Sequence, residues 1–271
     1  MTLSEQEKHD YIHNILIKKF QLTQQSNCSA LFDLDSNLLV VSEETRKQFG
    51  IENILSVLNK SFTTSNVTDE NIATLTGFSD ATNIEAIRFA CKKMIKLQQI
   101  VINHKRPVNF ISLIPRDNIF SSRLVSYVPV FHDNGELVAL QSYASNCSLF
   151  GINEYLTILH EKKLEPVTIK EYDLPIKLTT RQHEVLFLLV RGLSQRQAAD
   201  ILNISRGNLA KITVESICPK FGIFDADTSE LIGSAIKLGY HKYIPQSLCR
   251  PCVIILDNDV IDTYFLMANE D

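Results

Sequence analysis

The chain has 271 residues, of which 45% are hydrophobic and 21% charged, so it is long enough for one large domain or two ordinary ones. No apolar run approaches the roughly 18–20 residues that span a bilayer, and the polar, acidic N-terminus is unlike a signal peptide, so we expect a cytoplasmic location. The net charge of −4 is uneven: residues 176–246 carry nine basic and six acidic side chains, and the rest carries 18 and 25.

Residues 1–22 are predicted to form one amphipathic helix. Ile12, Ile15, Leu16 and Phe20 recur at helical spacing on one side of it. Such a helix packs either on the core of its own domain or on a second copy of the chain, and the sequence leaves both alternatives open.

Residues 23–149 are predicted to form one domain of strands and helices. Its first half reads as a strand pair over Ser29–Val41, a short helix over Glu43–Phe49 closed by Gly50, and a polar loop over 63–82. The second half reads as a long helix and three strands, over Asn83–His104, Val108–Pro115, Leu124–Phe131 and Leu137–Ala144. The dipeptide Asn134-Gly135 between the last two strands is a strong hairpin signal.

Two hairpins in this domain carry a resemblance to a known family. The segments are Cys28–Val40, CSALFDLDSNLLV, and Val128–Ala139, VPVFHDNGELVA. Together with the order of the elements, they resemble the first and last hairpins of a PAS domain. The resemblance implies an antiparallel sheet flanked by helices, with a sensory or dimerising role.

The sequence predicts no cofactor for this domain. It has no flavin-attachment motif around a cysteine, and His104 and His132 are single residues next to loops, which is typical of surface histidines rather than haem ligands. Three alternatives stay open for its role: binding of a small apolar ligand, binding of a partner protein, and dimerisation alone.

Residues 150–176 are predicted to form a helix and a linker. Residues 177–246 are predicted to form four short helices. Each of the four begins at its own capping residue, and the caps are Thr179 with Gln182, Ser194 with Gln197, Ser205, and Asp227 with Glu230. Only Leu202–Ser205 separates the second helix from the third. Two short helices on so tight a connection are typical of a helix-turn-helix, whose second helix enters a DNA major groove.

About 65 residues of this segment resemble the LuxR/GerE-type helix-turn-helix. The likeness lies in Leu178–Ser194, LTTRQHEVLFLLVRGLS, in Gln197–Ser205, QAADILNIS, and in Lys220–Ile223, KFGI. A PAS-like domain before this module resembles bacterial PAS–LuxR transcription factors. The resemblance implies an α+β fold, with a PAS-like sheet domain followed by an all-α four-helix domain.

The same resemblance implies a function. We expect a sequence-specific DNA-binding transcriptional regulator and not an enzyme, controlled by its PAS-like domain. In the family, the last helix, here Asp227–Gly239, commonly forms the contact of a DNA-bound homodimer, which would read an inverted repeat. The net charge of +3 over residues 176–246 fits a module that contacts DNA.

Six residues are predicted to contact DNA: Gln195, Arg196, Arg206, Asn208, Lys211 and Lys220. Arg206 and Asn208 open the third helix, where arginine can bridge guanine and asparagine can bridge adenine. Gln195 and Arg196 open the second helix, where an amide and a cation suit a phosphate. Glu215, further along the third helix, would face either a cytosine or a neighbouring side chain.

The third helix departs from the family pattern. The family usually has Thr-Val-Lys and then His, whereas this chain has Asn208-Leu209-Ala210 and then Ile212, with one residue too many before Lys220. Pro219 also lies near the end of the helix. The extra residue and the proline predict a bulge or an early helix end and an unusual DNA preference. They leave an alternative open: a degenerate module that serves as a protein-interaction domain or adaptor.

Residues 247–271 form a tail with two open alternatives. Cys249-x-x-Cys252 has the spacing of a redox pair or of half a zinc site, but a lone pair without a second Cys or His pair is a weak signal, and no metal site is predicted. Val253–Leu256 and Val260–Leu266 are predicted to form a small hairpin, which either adds strands to the sensor sheet or covers the DNA-binding module. The isolated Cys28, Cys91, Cys147 and Cys218 are predicted to be buried small hydrophobes.

Three rival families are disfavoured. Asp33-x-Asp35 after a strand is similar to the nucleophile motif of haloacid-dehalogenase-type phosphatases, but Asn37 stands where those enzymes have threonine. A phosphoacceptor receiver domain needs five alternating strand–helix units, and here the strands follow one long helix. An acyl-homoserine-lactone-binding domain normally uses tryptophans, of which the chain has none.

Overall fold

The computed structural model describes residues 2–49, 68–78, 80–114, 122–147, 167, 173–257, 259–261 and 264. They fall into two compact units. The sheet unit holds the described residues up to Cys147 together with the tail from Cys252. The helical unit holds Val167 and residues 173–251. The two units are described separately below.

The sheet unit begins with helical segments and then alternates strands with helices. Its helices are α1 (Glu5–Tyr11), α2 (Ile17–Thr23), α3 (Glu43–Phe49), α4 (Asp69–Thr76) and α5 (Ala81–His104), with a π-helical turn at Ile12–Leu16 between α1 and α2. Its strands are β1 (Cys28–Phe32), β2 (Leu38–Val41), β3 (Val108–Leu113), β4 (Arg123–Phe131), β5 (Leu137–Asn146) and β6 (Cys252–Ile255).

The six strands form one antiparallel sheet in the order β2-β1-β5-β4-β3-β6. The β4–β5 hairpin turns at the predicted place, where the amide of Gly135 donates to the carbonyl of His132 at 2.8 Å. Gly135 has a φ of 85°, a left-handed conformation that glycine adopts without steric cost. The bounds of these elements confirm the predicted strand pair β1–β2, the helices α3 and α5, and the strands β3–β5.

Hydrophobic side chains pack on both faces of the sheet. Helix α5 covers one face, in a cluster that includes Leu97, Ile100 and Phe110. The N-terminal helix covers the other face through Ile12, Leu16 and Phe20, which meet Leu31 of β1. The first alternative for this helix, packing on the core of its own domain, is thus what the structure shows. Ile15 and Leu22 stay exposed on its outer side.

The C-terminal tail is part of the sheet unit. Strand β6 pairs with the edge of β3, with Ile254 opposite Ile111, and Val253 lies buried in the cluster around α5. The amide of Asn109 donates to the carboxylate of Asp257 at 2.7 Å, so the chain stays fixed after the strand. Of the two placements considered for the tail, addition to the sensor sheet is the one observed.

The helical unit contains four α-helices joined by short turns. They are α6 (Thr180–Val190), α7 (Gln195–Ile201), α8 (Arg206–Lys211) and α9 (Thr228–Lys237). A π-helical turn, Ile212–Ile217, and a 3-10 turn, Cys218–Phe221, extend α8, and two further 3-10 turns follow α9 at Tyr240–Lys242 and Gln246–Leu248. The predicted caps of all four α-helices are confirmed, including both Ser/Thr-x-x-Gln capping boxes.

Three sequence predictions were wrong in part. The segment 63–82 contains helix α4, which Thr68 caps, because a capped polar segment can still bury one side, here Ile72. The second strand of the tail hairpin is absent at residues 259–261, which are helical. Among the four isolated cysteines Cys218 is fully buried, whereas Cys28, Cys91 and Cys147 are only partly buried. The predictions for Gly50 and for the helix within 150–166 lie outside the described residues.

Candidate nucleic-acid interface

The turn between α7 and α8 has the geometry of a helix-turn-helix connection. The amide of Ile204 donates to the carbonyl of Ala199 at 3.0 Å, and the amide of Asn203 donates to Asp200 at 3.2 Å. This pair of bonds is a Schellman motif, and Asn203 adopts the left-handed conformation it requires, with a φ of 51°. Ser205 then caps α8 by accepting from the amide of Asn208 at 3.1 Å.

Small side chains allow α7 to approach its neighbours closely. Ala198 and Ala199 are buried, as the sequence predicts, and Leu202 after α7 and Leu209 of α8 are buried as well. The outer side of both helices is left to polar residues. The packing therefore fixes the angle of α8, the helix that the sequence predicts to enter the groove.

The extra residue in the third helix produces the predicted bulge. The α-helical pattern changes to a π-helical turn at Ile212–Ile217, which accommodates one more residue per turn. The helix then tightens into the 3-10 turn, with Pro219 in its first turn. It ends at Gly222, whose φ is 74°.

The structure exposes five of the six predicted DNA-contacting residues and half-buries the sixth. Arg206, Asn208 and Lys211 are exposed on α8, Arg196 is exposed at the start of α7, and Gln195 is half-buried beside it. Lys211 lies 3.9 Å from Glu215, measured from Nζ to the nearer carboxylate oxygen. This distance supports the neighbouring side chain as one partner of Glu215.

Lys220 is exposed but takes part in the packing of the helical unit. Its ammonium donates to the carbonyl of Lys177 and to the Oε1 of Gln182, each at 2.9 Å. Gln182 belongs to the capping box of α6, so Lys220 ties the end of the extended third helix to the start of the first. A lysine with two internal acceptors retains one proton for a phosphate.

The segment after α9 packs on α6, which the sequence reasoning missed. The buried Tyr240 donates its hydroxyl proton to the carbonyl of Ile176 at 2.7 Å, and its oxygen accepts from the amide of Ile176 at 2.9 Å. The buried carboxylate of Glu184 accepts from Ser247 and pairs with Arg181 at 2.9 Å. A signal for this packing was available in the sequence: the apolar residues Tyr240, Ile244 and Leu248 recur at every fourth position, and all three are buried.

Neither cysteine of the Cys249-x-x-Cys252 motif forms a disulfide, and both are buried. Cys249 lies in the helical unit and Cys252 in strand β6 of the sheet unit. Burial raises the pKa of Cys249, which makes its thiol a poor nucleophile and a poor metal ligand. The structure therefore gives no support to either reading of the motif, redox pair or half zinc site.

The core of the sheet unit holds a polar pair next to α5. Gln98 is buried, and its side chain forms a hydrogen bond with the hydroxyl of Tyr127, itself 3% exposed. Burial raises the pKa of Tyr127. Within the described part of the chain, Gln98 Oε1 is buried without a hydrogen-bond partner. A buried acceptor of this kind is costly unless something donates to it.

A separate cavity of about 240 Å³ opens at the end of the sheet where β1 begins. Its lining is mostly polar and consists of Ser26, Asn27, Cys28, Glu44, Gln48, Arg123, Ala144, Ser145 and Asn146. This lining suits a polar molecule better than the apolar ligand that the sequence left open. Among the described residues, no helix combines the length and apolar composition that a bilayer span requires.

Two solved structures are similar to this chain over most of its length. VqmA of Vibrio cholerae, crystallised with a ligand and DNA, has a TM-score of 0.55 at 17% identity, and the match covers 91% of this chain and 98% of that one. A phage VqmA in complex with DPO has a TM-score of 0.55 at 19% identity, and the match covers 94% and 100%. No protein-family model and no curated protein matches the chain.

At these identities the likeness shows the fold. The chain has the fold of a PAS–LuxR-type regulator, with a PAS-like antiparallel sheet and helices followed by a LuxR-type helix-turn-helix. The α+β fold expected from the two sequence resemblances is therefore confirmed.

Proposed function

We propose that the protein is a dimeric, sequence-specific DNA-binding transcriptional regulator whose PAS-like sheet unit controls its helix-turn-helix. The observation that carries this proposal is the exposed polar surface of α7 and α8. It holds Arg196, Arg206, Asn208 and Lys211 on a helix-turn-helix whose turn and caps are complete. Cations at this position neutralise phosphates, and the donors of α8 meet base edges.

Charge and fold support the same proposal. The net charge of +3 over residues 176–246 contrasts with −7 elsewhere, which favours an approach to DNA through the helical unit. The structurally similar Vibrio protein was crystallised in complex with DNA. A regulator rather than an enzyme is the function that this arrangement supports.

Helix α9 is the proposed dimer contact. Leu231 and Ala235 bury its inner side, while Ile236 and Leu238 remain 44% and 40% exposed. Apolar side chains exposed together on one helix favour contact with a second copy. A two-fold dimer would place two recognition helices on an inverted-repeat site.

The sheet unit is proposed to bind a small molecule. Gln98 Oε1, buried without a partner among the described residues, would accept a hydrogen bond from a donor on that molecule. The similar phage protein was crystallised in complex with the small molecule DPO. The pairing of Gln98 with Tyr127 places a polar contact within an otherwise apolar core.

The proposal is tested by selecting binding sites from random duplex DNA with the full-length protein near physiological salt. We expect an enriched inverted repeat. Lys211→Glu should abolish the enrichment, whereas Lys242→Glu, an exposed charge reversal after α9, should preserve the selected sequence. Affinity for the selected site should fall by orders of magnitude between about 50 and 200 mM salt.

The rival function is a protein-interaction module that has lost DNA binding. It is favoured by the altered residues of the third helix, namely Asn208, Leu209, Ala210 and Ile212. The same selection decides between the two functions. No enrichment at any salt concentration, with the protein shown to be folded, would refute the DNA-binding proposal.

A further inference from the structure

Two rows of side chains run along opposite sides of the third helix. Leu209, Thr213 and Ile217 are each 0% exposed and form the buried row. Gly207, Lys211 and Glu215 are all exposed and form the outer row. Both rows repeat at every fourth residue; the outer row ends within the π-helical turn, at Glu215, and the buried row ends at its last residue, Ile217.

The π-helical turn is what keeps these rows straight. In an α-helix of 3.6 residues per turn, positions four apart drift around the axis by about 40° per step. A π-helical turn holds more than four residues, so a step of four falls short of a full turn, and the steps from 211 to 215 and from 213 to 217 reverse the drift of the preceding step. Glu215 therefore stays in line with Gly207 and Lys211 instead of rotating toward the side of the helix.

The first member of the outer row, Gly207, has no internal reason to be glycine. Its backbone is not left-handed, and a Cβ built on it would meet nothing within 4 Å. Alanine favours a helix more than glycine does. Because glycine has no side chain, the helix backbone at Gly207 is accessible, and another molecule can approach it closely.

The other two members of the row have complementary chemistry. Lys211 offers three donors and Glu215 offers acceptors, with side chains 68% and 61% exposed and their charged groups 3.9 Å apart. Lysine donates to the O6 and N7 of guanine, and glutamate accepts from the N4 of cytosine. The salt bridge between them reduces the repulsion that a lone carboxylate would meet near phosphates.

We propose that the row Gly207–Lys211–Glu215 is the surface that reads the DNA sequence, with Glu215 specifying a cytosine and Gly207 setting how closely the helix approaches the bases. This inference rests on the proposed DNA-binding function and identifies the specificity-determining residues of that site. It adds Gly207 to the predicted contacts, decides between the two alternatives for Glu215 in favour of a cytosine, and gives the π-helical turn a role in placing both residues.

The first test uses Glu215→Gln and the duplex selected by the wild-type protein. Binding is measured by fluorescence anisotropy on this duplex and on duplexes with each base pair changed in turn. The wild type should discriminate about 5- to 150-fold in favour of cytosine at one position of each half-site, and Glu215→Gln should lose that discrimination. Glu43→Gln, the same charge change at an exposed residue of α3 in the sheet unit, should keep it.

The second test uses Gly207→Ala. Thermal stability should be unchanged or higher, because alanine favours the helix and its methyl group enters open space. Affinity for the selected duplex should fall about 10-fold, as expected when one base contact is lost. Gly233→Ala, a glycine of α9 with equally open surroundings, is the control for the stability change alone.

The outcomes distinguish a failure of the proposed DNA-binding function from a failure of the row Gly207–Lys211–Glu215 as the surface that reads the bases. If the wild type selects no DNA, the proposed function fails, and this inference fails with it. If the wild type selects a site but Glu215→Gln keeps every base preference and Gly207→Ala binds within twofold of wild type, DNA binding stands and the reading surface is overturned.

Discussion

The His183 imidazole lies between α6 and the segment that follows α9. Its Nε2 is 3.0 Å from the carbonyl oxygen of Tyr243. Because a carbonyl only accepts, Nε2 carries the proton and donates it, and the ring is held in the tautomer with an unprotonated Nδ1. Burial lowers the pKa of His183 below its ordinary value of 6.5, and the bond to Tyr243 offsets part of that effect.

This lowered pKa predicts a pH-dependent stability. The unfolded chain takes up a proton near pH 6.5, whereas the folded chain takes it up only at lower pH. The free energy of unfolding should therefore fall as the pH drops below about 6.5, and His183 should contribute no pH dependence well above it. His183→Gln keeps a donor and does not titrate, so its loss of stability between pH 7.5 and 5.5 should be smaller.

Urea unfolding at the two pH values measures this effect. The same substitution at the exposed His104 serves as the control for the exchange of histidine for glutamine. Equal losses of stability in the wild type and in His183→Gln would contradict the assignment.

At the scale of elements, the start of α8 depends on one serine. Ser205 accepts from the amide of Asn208, and replacing such a cap by alanine costs about 1 kcal/mol. Ser205→Ala should lower the free energy of unfolding of the helical unit by this amount. Ser205→Asp, which retains an acceptor, should stay close to wild type. Hydrogen exchange at the amides of 207–209 would show whether the loss is at the cap.

Helix α9 gives a second prediction at this scale. Ile236 is 44% exposed, so Ile236→Glu should leave the fold of the helical unit intact. If α9 forms the dimer contact, the buried charge should weaken association and reduce affinity for an inverted repeat, but hardly affect a single half-site. Sedimentation measures the association, and the equivalent change at Leu22 of α2 is the control. Unchanged dimerisation would remove α9 as the contact.

The elements that the sequence predicted correctly depend on local signals. The turn at Gly135, the cap at Ser205 and the bulge near Glu215 each follow from residues a few positions apart. The pairing of Ile111 with Ile254 could not be predicted, since it joins residues distant in the sequence and has no turn to mark it. The predicted contacts on α8 lie together for the same local reason, whereas the packing of Tyr240 on Ile176 depends on tertiary structure.

At the scale of the whole molecule, the sheet unit is discontinuous in sequence. The chain leaves it after β5, forms the helical unit, and returns at Cys252 to add the sixth strand. Val253 and Val260 of the returning tail lie in the same buried cluster as Phe110 and Leu97. The sheet unit thus completes its core only after the helical unit has been made, so a truncation before the tail would damage the sheet unit as well as remove the tail.

The tail's contribution to the core predicts where its mutations act. Val253 is 1% exposed, so Val253→Ala should destabilise the sheet unit by about 1–3 kcal/mol through lost burial and the cavity left behind. Leu256→Ala, three residues later and 44% exposed, should change stability by less than about 0.5 kcal/mol. Hydrogen exchange at the amides of β3 and β4 reports the loss, while the amides of α6 should be unaffected. If the two variants exchanged alike, the tail would lie on the sheet without supporting its core, and a chain shortened at Pro251 should then keep a stable sheet unit.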